Sequence, residues 1–187
     1  EELYNETKDY VQEIAPSKQS IVKFYQSKDT PIFEKYNIER QIKTSFGKTV
    51  SMSKGAYLII EHTEALHVID VNSGSKNLRG DTLEENALKT NMVAAEEIAR
   101  QLRLRDMGGI IVIDFIDMEI RANRETVIQT FRHALARDKT RTQVFDISEL
   151  GLVEMTRKRI GEGLMESLSG PCPTCEGRGM VFDRDLI

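Results

Sequence analysis

The sequence predicts an α/β fold, a mixed sheet flanked by helices, from three observations. Strand-like and helix-like segments alternate between Ala65 and Ile147. Ile110-Ile111-Val112-Ile113 is an unbroken β-branched run, the pattern of a buried central strand. The chain has 187 residues, 40% hydrophobic and 30% charged, which is enough apolar mass for a real core and too much for a disordered chain.

The elements follow in order. Leu3, Tyr4, Tyr10, Val11 and Ile14 have helical spacing over residues 1–14, and Pro16 ends that helix. Ile21 to Tyr25 reads as a short strand. Pro31 suits the first turn of a helix that Ile32, Phe33, Tyr36, Ile38 and Ile42 continue towards Phe46, with Gly47 as the stop. Ala56 to Glu61 and Ala65 to Val71 are strands, and Asn72-Ser73-Gly74-Ser75 is loop chemistry. Asp81-Thr82-Leu83-Glu84-Glu85 pairs an oxygen-bearing cap with acids in the first turn. The helix it opens runs to about Arg105, with Leu88, Met92, Ala95, Ile98, Ala99 and Leu102 as its apolar stripe. Gly108-Gly109 breaks it. The central strand follows, then a helix from about Ala122 to Ala136 and strands at Thr142 to Ile147 and Gly151 to Thr156. Gly170 to Gly179 is rich in Gly, Pro and Cys and stands outside this core.

Composition narrows the function classes. Two cysteines in a chain this long exclude a disulfide-rich secreted scaffold. No stretch reaches the roughly eighteen apolar residues of a membrane helix. Glu1-Glu2-Leu3-Tyr4 is acidic and lacks the apolar run of a signal peptide. The expected compartment is the cytoplasm, with reduced thiols. The first residue is not methionine, as expected of an excised piece of a longer protein. The net charge of -4 gives no global attraction for nucleic acid, so any such contact must be local.

Two features carry chemistry. Asp70 closes the strand Leu66-His67-Val68-Ile69-Asp70-Val71-Asn72, and the period of 2 puts Asn72 on the same face. Asp114 closes the run Ile110 to Ile113. Ligand sites in α/β sheets lie beyond the C-terminal strand edges. Two carboxylates there, with no basic neighbour, call for a hard divalent cation, for which Mg²⁺ is the natural choice. The competing reading has these acids capping helices or pairing with arginines. Asp117, of opposite parity to Asp114, reads as a turn or cap residue. The second feature is Pro171-Cys172-Pro173-Thr174-Cys175-Glu176-Gly177-Arg178-Gly179, in which the C-x-x-C spacing lets two thiolates grip one metal. Structural zinc takes four ligands, and His62, His67 and His133 are remote in sequence. Two copies of the chain could each supply a pair. A redox dithiol and a metal-free turn stay open, although Gly177 and Gly179 oppose the helix that usually follows a redox motif. The basic clusters, Arg100, Arg103 and Arg105, then Arg121 to Arg141, then Arg157-Lys158-Arg159, are solvated helix faces or phosphate contacts.

These residues also resemble a known family. Ile69-Asp70-Val71-Asn72-Ser73, Arg79-Gly80-Asp81 and Glu84-Glu85-Asn86-Ala87 are similar to ribonuclease E/G motifs. So are the run from Glu96 to Gly109, its continuation from Ile111 to Met118, and Cys-Pro-Thr-Cys. The resemblance is clearest from about Ser51 to Gly179. It implies a Mg²⁺-dependent endoribonuclease acting on single-stranded RNA and leaving 5′-phosphate ends. By the same resemblance Asp70 and Asp114 hold Mg²⁺, Asn72 orients the attacking water, and Cys172 and Cys175 share zinc with a second copy. Arg141 is implied in recognising the RNA 5′-phosphate. Residues 1–46 resemble part of a ribonuclease-H-like subdomain, 47–168 a deoxyribonuclease-I-like catalytic subdomain, and 169–187 a zinc link. Nothing matches the family's N-terminal RNA-binding barrel or 5′-sensor region. The expectation is therefore a C-terminal part of a catalytic region, weakly active or inactive alone, leaning to the G type by its short tail. The alternative is a non-catalytic, zinc-linked dimerisation module.

Overall fold

The computed structural model describes residues 1–74, 82–148, 150–161, 163, 167, 169, 170, 172–177 and 179. The chain divides into two compact units, Glu1–Thr44 and Ser45–Ile187.

The first unit is helical. It holds α1 (Glu2–Ile14), a 3₁₀ turn (Pro16–Ile21), α2 (Ile32–Lys35) and most of α3 (Ile38–Ser45). The single helix expected from Ile32 to Phe46 is broken at Asn37, which takes a left-handed φ of 56°, a conformation asparagine tolerates. The strand expected at Ile21 to Tyr25 does not form: the 3₁₀ turn ends at Ile21 and irregular backbone follows. A strand needs a partner to complete its ladder, and the described residues of this unit contain no other strand. Local contacts order the connection instead. Tyr4 and Phe24 pack edge to face at 5.4 Å, and Tyr25 Oη donates to the Thr30 carbonyl at 2.8 Å. None of these helices buries a residue.

The second unit is α/β. Its strands are β1 (Thr49–Ser51), β2 (Tyr57–His62), β3 (Leu66–Asn72), β4 (Gly109–Asp114), β5 (Thr142–Ile147) and β6 (Leu152–Arg157). Its long helices are α4 (Leu83–Leu104) and α5 (Arg121–Leu135). They form one six-stranded mixed sheet in the order β1-β2-β3-β4-β6-β5. Only β3 and β4 are parallel, joined through α4 as a crossover helix. Strand β1, missed by the sequence reading, extends the β2 edge through Thr49, Val50 and Ser51. Three residues carry too little pattern to be seen alone.

One face of the sheet is covered. Ile69 and Val71 of β3, Ile111 and Ile113 of β4, and Val153 and Met155 of β6 form a single core with Ala94, Ile98 and Leu102 of α4 and Val127 and Phe131 of α5. Among the described residues of this unit no helix covers the opposite, open face, and Ile110 is 51% exposed there. The all-apolar β4 run is therefore central in the sheet, with its core contacts on one face.

The start of α4 is a capping box. The Glu85 amide donates to Thr82 Oγ1 at 3.2 Å and the Thr82 amide donates to Glu85 Oε2 at 2.9 Å. The stripe differs from expectation at one turn: Met92 is exposed and Asn91 is buried in its place. Asp106, left-handed at φ 49°, ends the helix two residues before the expected Gly108, and the Met107 amide donates to the Leu102 carbonyl.

Asp106 and Asp138 anchor a buried cation. Arg157, 4% exposed, donates from Nε to Asp138 Oδ2 and from Nη1 to Asp106 Oδ1, both at 2.8 Å. Arg105, 1% exposed, donates to Gln101 Oε1 and to the Gly47 carbonyl. Both lie in clusters that the sequence reading gave to solvent or phosphate. They are internal because their donors are satisfied by carboxylates, an amide and carbonyls.

Burial works against ionised Asp138, but hydrogen bonds from Arg157 and the Thr140 amide outweigh it and hold its pKa below the usual aspartate range. The pair thus stabilises the fold above the ordinary aspartate pKa, and that contribution is lost as pH falls through the lowered native value. Asp138→Ala should cost roughly 3 kcal/mol in urea denaturation at pH 7 by stranding a buried charge, with the difference from wild type closing below about pH 3.9.

Candidate active site

The parallel β3–β4 ladder places Asp70 directly opposite Asp114. Their neighbours Ile69 and Ile113 point into the core, so both carboxylates lie on the open face, at the C-terminal ends of their strands. Asn72 lies two residues on, and its Nδ2 donates to Asp70 Oδ2 at 2.8 Å. Asp70, Asn72 and Asp114 are thus brought together on one surface. Asp114 also pairs with Leu152 of β6, so this site sits mid-sheet.

Among the described residues, no basic side chain forms an ion pair with either carboxylate. Desolvation first, then the charges of Asp70 and Asp117, push the Asp114 carboxyl above its ordinary pKa. Asp117 is therefore close enough to act on Asp114, although the strand ends between them. Its Oδ1 also lies where a Cβ on Gly151 would approach within 3.1 Å, and Gly151 has a φ of +82°. A side chain there would be strained and crowd the carboxylate. Two clefts open beside Asp117, one towards Ser148 and Gly151, the other towards Ser73 and Glu84.

The donor set suits a hard ion bound openly. Among the described residues no group of three or more His, Cys, Asp or Glu forms a ready metal cage. Mg²⁺ commonly takes one or two carboxylates and leaves its remaining positions to water and substrate phosphate. The Asp70–Asp114 pair offers that, and a cation would offset the repulsion that raises Asp114.

The cysteine segment forms a tight turn. The Glu176 amide donates to the Cys172 carbonyl at 2.8 Å, and Glu176 and Gly177 follow with positive φ of 52° and 87°. The backbone amides of Cys175 and Thr174 lower the Cys172 thiol pKa and favour thiolate. The two thiols of this segment could serve as ligands of a thiophilic metal.

The profile of the Ribonuclease E/G family matches residues 1–160. The chain belongs to this family. It is 42% identical to ribonuclease E of Haemophilus influenzae over 185 residues, covering 99% of this chain and 20% of that protein. It is 44% identical to ribonuclease G of the same organism over 178 residues, covering 95% and 36%. Ribonuclease E of a Nostoc species is 50% identical over 150 residues, covering 80% and 22%. The chain thus spans about a fifth to a third of the length of these ribonuclease E and G relatives.

Within this ribonuclease E/G chain, Arg141 stands apart from the carboxylates. Thr142 pairs with Arg157, and Arg157 with Gly109 at the start of β4. Arg141, one residue before Thr142, therefore lies near the opposite end of the strands, about 20 Å along them from Asp114 at ~3.3 Å per residue. It is exposed. The Arg79-Gly80-Asp81 motif falls outside the described residues. Sequence reasoning also missed Asn91, and saw Glu84 only as an acid in the first turn of α4; their side chains hold the loop that leaves Asp114. The signal for Asn91 was an amide on the buried face of α4, a face it shares with Gln101.

A raised carboxyl pKa makes the native state favour protonated Asp114. Its effect on stability is most favourable below the unfolded aspartate pKa and is lost as pH rises through the native value. Asp114→Asn should therefore raise Tm at pH 7 in chelator-treated protein, with the gain vanishing in acid. Asp70→Asn should lower the Asp114 pKa, read by ¹³C carboxyl NMR.

Proposed function

We propose that the chain is the catalytic-core portion of a Mg²⁺-dependent endoribonuclease that hydrolyses single-stranded RNA and leaves 5′-phosphate ends. The observation that carries this reading is the lateral pairing of Asp70 with Asp114 on the open sheet face. In it, residues 1–46 are part of a ribonuclease-H-like segment, 47–168 the deoxyribonuclease-I-like catalytic part, and 169–187 a zinc link.

Asp70 and Asp114 would hold Mg²⁺, which when bound supplies a Lewis acid that polarises the scissile phosphate. Asn72 orients the nucleophile: its Nδ2 donates to Asp70 Oδ2, which leaves the amide oxygen to accept a hydrogen bond from the attacking water. The open face gives an extended strand of RNA access without unfolding the sheet. Arg141, remote from the carboxylates, can contact only a phosphate well away from the cleaved bond, as a 5′-terminal phosphate would be. Cys172 and Cys175 would complete a four-thiolate zinc site with the same pair from a second copy.

In the protein that carries this chain, Asp70→Asn and Asp114→Asn should each lower Mg²⁺-dependent cleavage of 5′-monophosphorylated single-stranded RNA by at least about 100-fold. Normal cleavage by either variant would sink the assignment. Elemental analysis should find about half a zinc per chain. Cys172→Ser should abolish both the zinc and the dimer in sedimentation; a full zinc per chain, or none, would refute the shared site. Zinc-linked dimers whose RNA cleavage ignores the aspartates would favour the non-catalytic dimerisation module.

A further inference from the structure

The segment that leaves Asp114, residues 115–120, has no strand partner, yet its backbone is gripped by side chains. Asn91 is completely buried in α4. Its Nδ2 donates to the Ile116 carbonyl at 2.7 Å, and its Oδ1 accepts from the Ile116 amide at 3.0 Å. Two turns earlier on α4, Glu84 accepts from the Glu119 amide at 3.0 Å, from the Ile120 amide at 3.2 Å and from Asn123 Nδ2 at 2.7 Å. Arg124, on α5, donates from Nη1 to the Met118 and Glu119 carbonyls.

A buried amide among Ala94, Ala95 and Ile98 is a poor choice for packing alone, because an apolar side chain there carries no desolvation cost. What Asn91 adds is direction. It holds Ile116 as a neighbouring strand would, two residues beyond Asp114. Glu84 caps the entry to α5, whose own N-cap residue, Ile120, offers no side-chain cap.

We propose that Asn91 and Glu84 are positioning residues of the carboxylate site: they fix the 115–120 segment so that Asp114 keeps the place opposite Asp70 that a shared divalent cation requires. This rests on the metal-site reading above. Neither residue touches the ion. Their effect passes through the backbone, as outer partners act on metal ligands elsewhere.

Mn²⁺, as the probe ion, can be titrated into the 187-residue chain and followed by the loss of its free EPR signal. Glu84→Ala should weaken Mn²⁺ binding roughly tenfold while circular dichroism stays near wild type and Tm falls only by the few degrees that a lost helix cap costs, because Glu84 lies at the surface end of the clamp. Glu84→Gln, which keeps one acceptor oxygen, should fall between the two. Asn91→Ala should weaken binding and also lower Tm. Arg121→Ala, which removes only the solvent-facing Arg121–Glu125 pair, should change neither. Unaltered Mn²⁺ affinity in Glu84→Ala, with binding abolished in Asp114→Asn, overturns the positioning role and leaves the metal site standing. Binding that survives Asp114→Asn, or is absent from the wild-type chain, overturns both.

Discussion

The parallel pairing of β3 with β4 is the constraint on which the rest of this unit depends. It sets two aspartates side by side, an arrangement that charge alone opposes. Directly opposed like charges in a ladder cost on the order of 0.2–1 kcal/mol. On the other face of the same two strands, Ile69, Val71, Ile111 and Ile113 are buried, each worth roughly 1.5–3 kcal/mol. The core therefore fixes the register, and the carboxylates follow because side chains alternate. A slip by one residue would exchange the two sets.

The same division explains which polar groups lie inside. Arg157 bridges the start of α4's exit turn, through Asp106, to the segment before β5, through Asp138. Arg105 joins α4 to the carbonyl of Gly47. Asn91 joins α4 to the strand end that carries Asp114. Each makes a connection that has a direction, which apolar contact does not supply. Together they hold the loops at the two ends of β4 while the sheet holds its middle.

The open face separates the chemistry from the core. Asp114 stays accessible although Ile113 is fully buried, so substitution at the site need not disturb packing. The glycine at 151 extends this logic, since its lack of a side chain leaves room for the Asp117 carboxylate. Among the described residues, the cysteine turn is organised by its own backbone amides.

By itself the sequence determined every element whose signal is local and long enough. The capping box at Thr82, the period of α4 and α5 and the β-branched strands all form within a residue or two of expectation, because caps and periodicity act over one or two turns. The pairing of Asp70 with Asn72 was legible for the same reason, as a period of 2. Tertiary structure decided what depends on a distant partner. Ile21 to Tyr25 has strand-forming residues but no ladder to join, and Thr49 to Ser51 is a strand only because β2 lies beside it. The β4 run looks buried on both faces, yet Ile110 is half exposed. Arg105 and Arg157 read as surface charges because their carboxylate, amide and carbonyl partners lie elsewhere in the chain or behind a turn. Asp117 joins the site through a loop whose path is set by Asn91 and Glu84, some 25 and 35 residues away from the groups they hold. Hydrogen bonds over such separations leave no periodic trace in a sequence, and only the folded chain brings their two ends together.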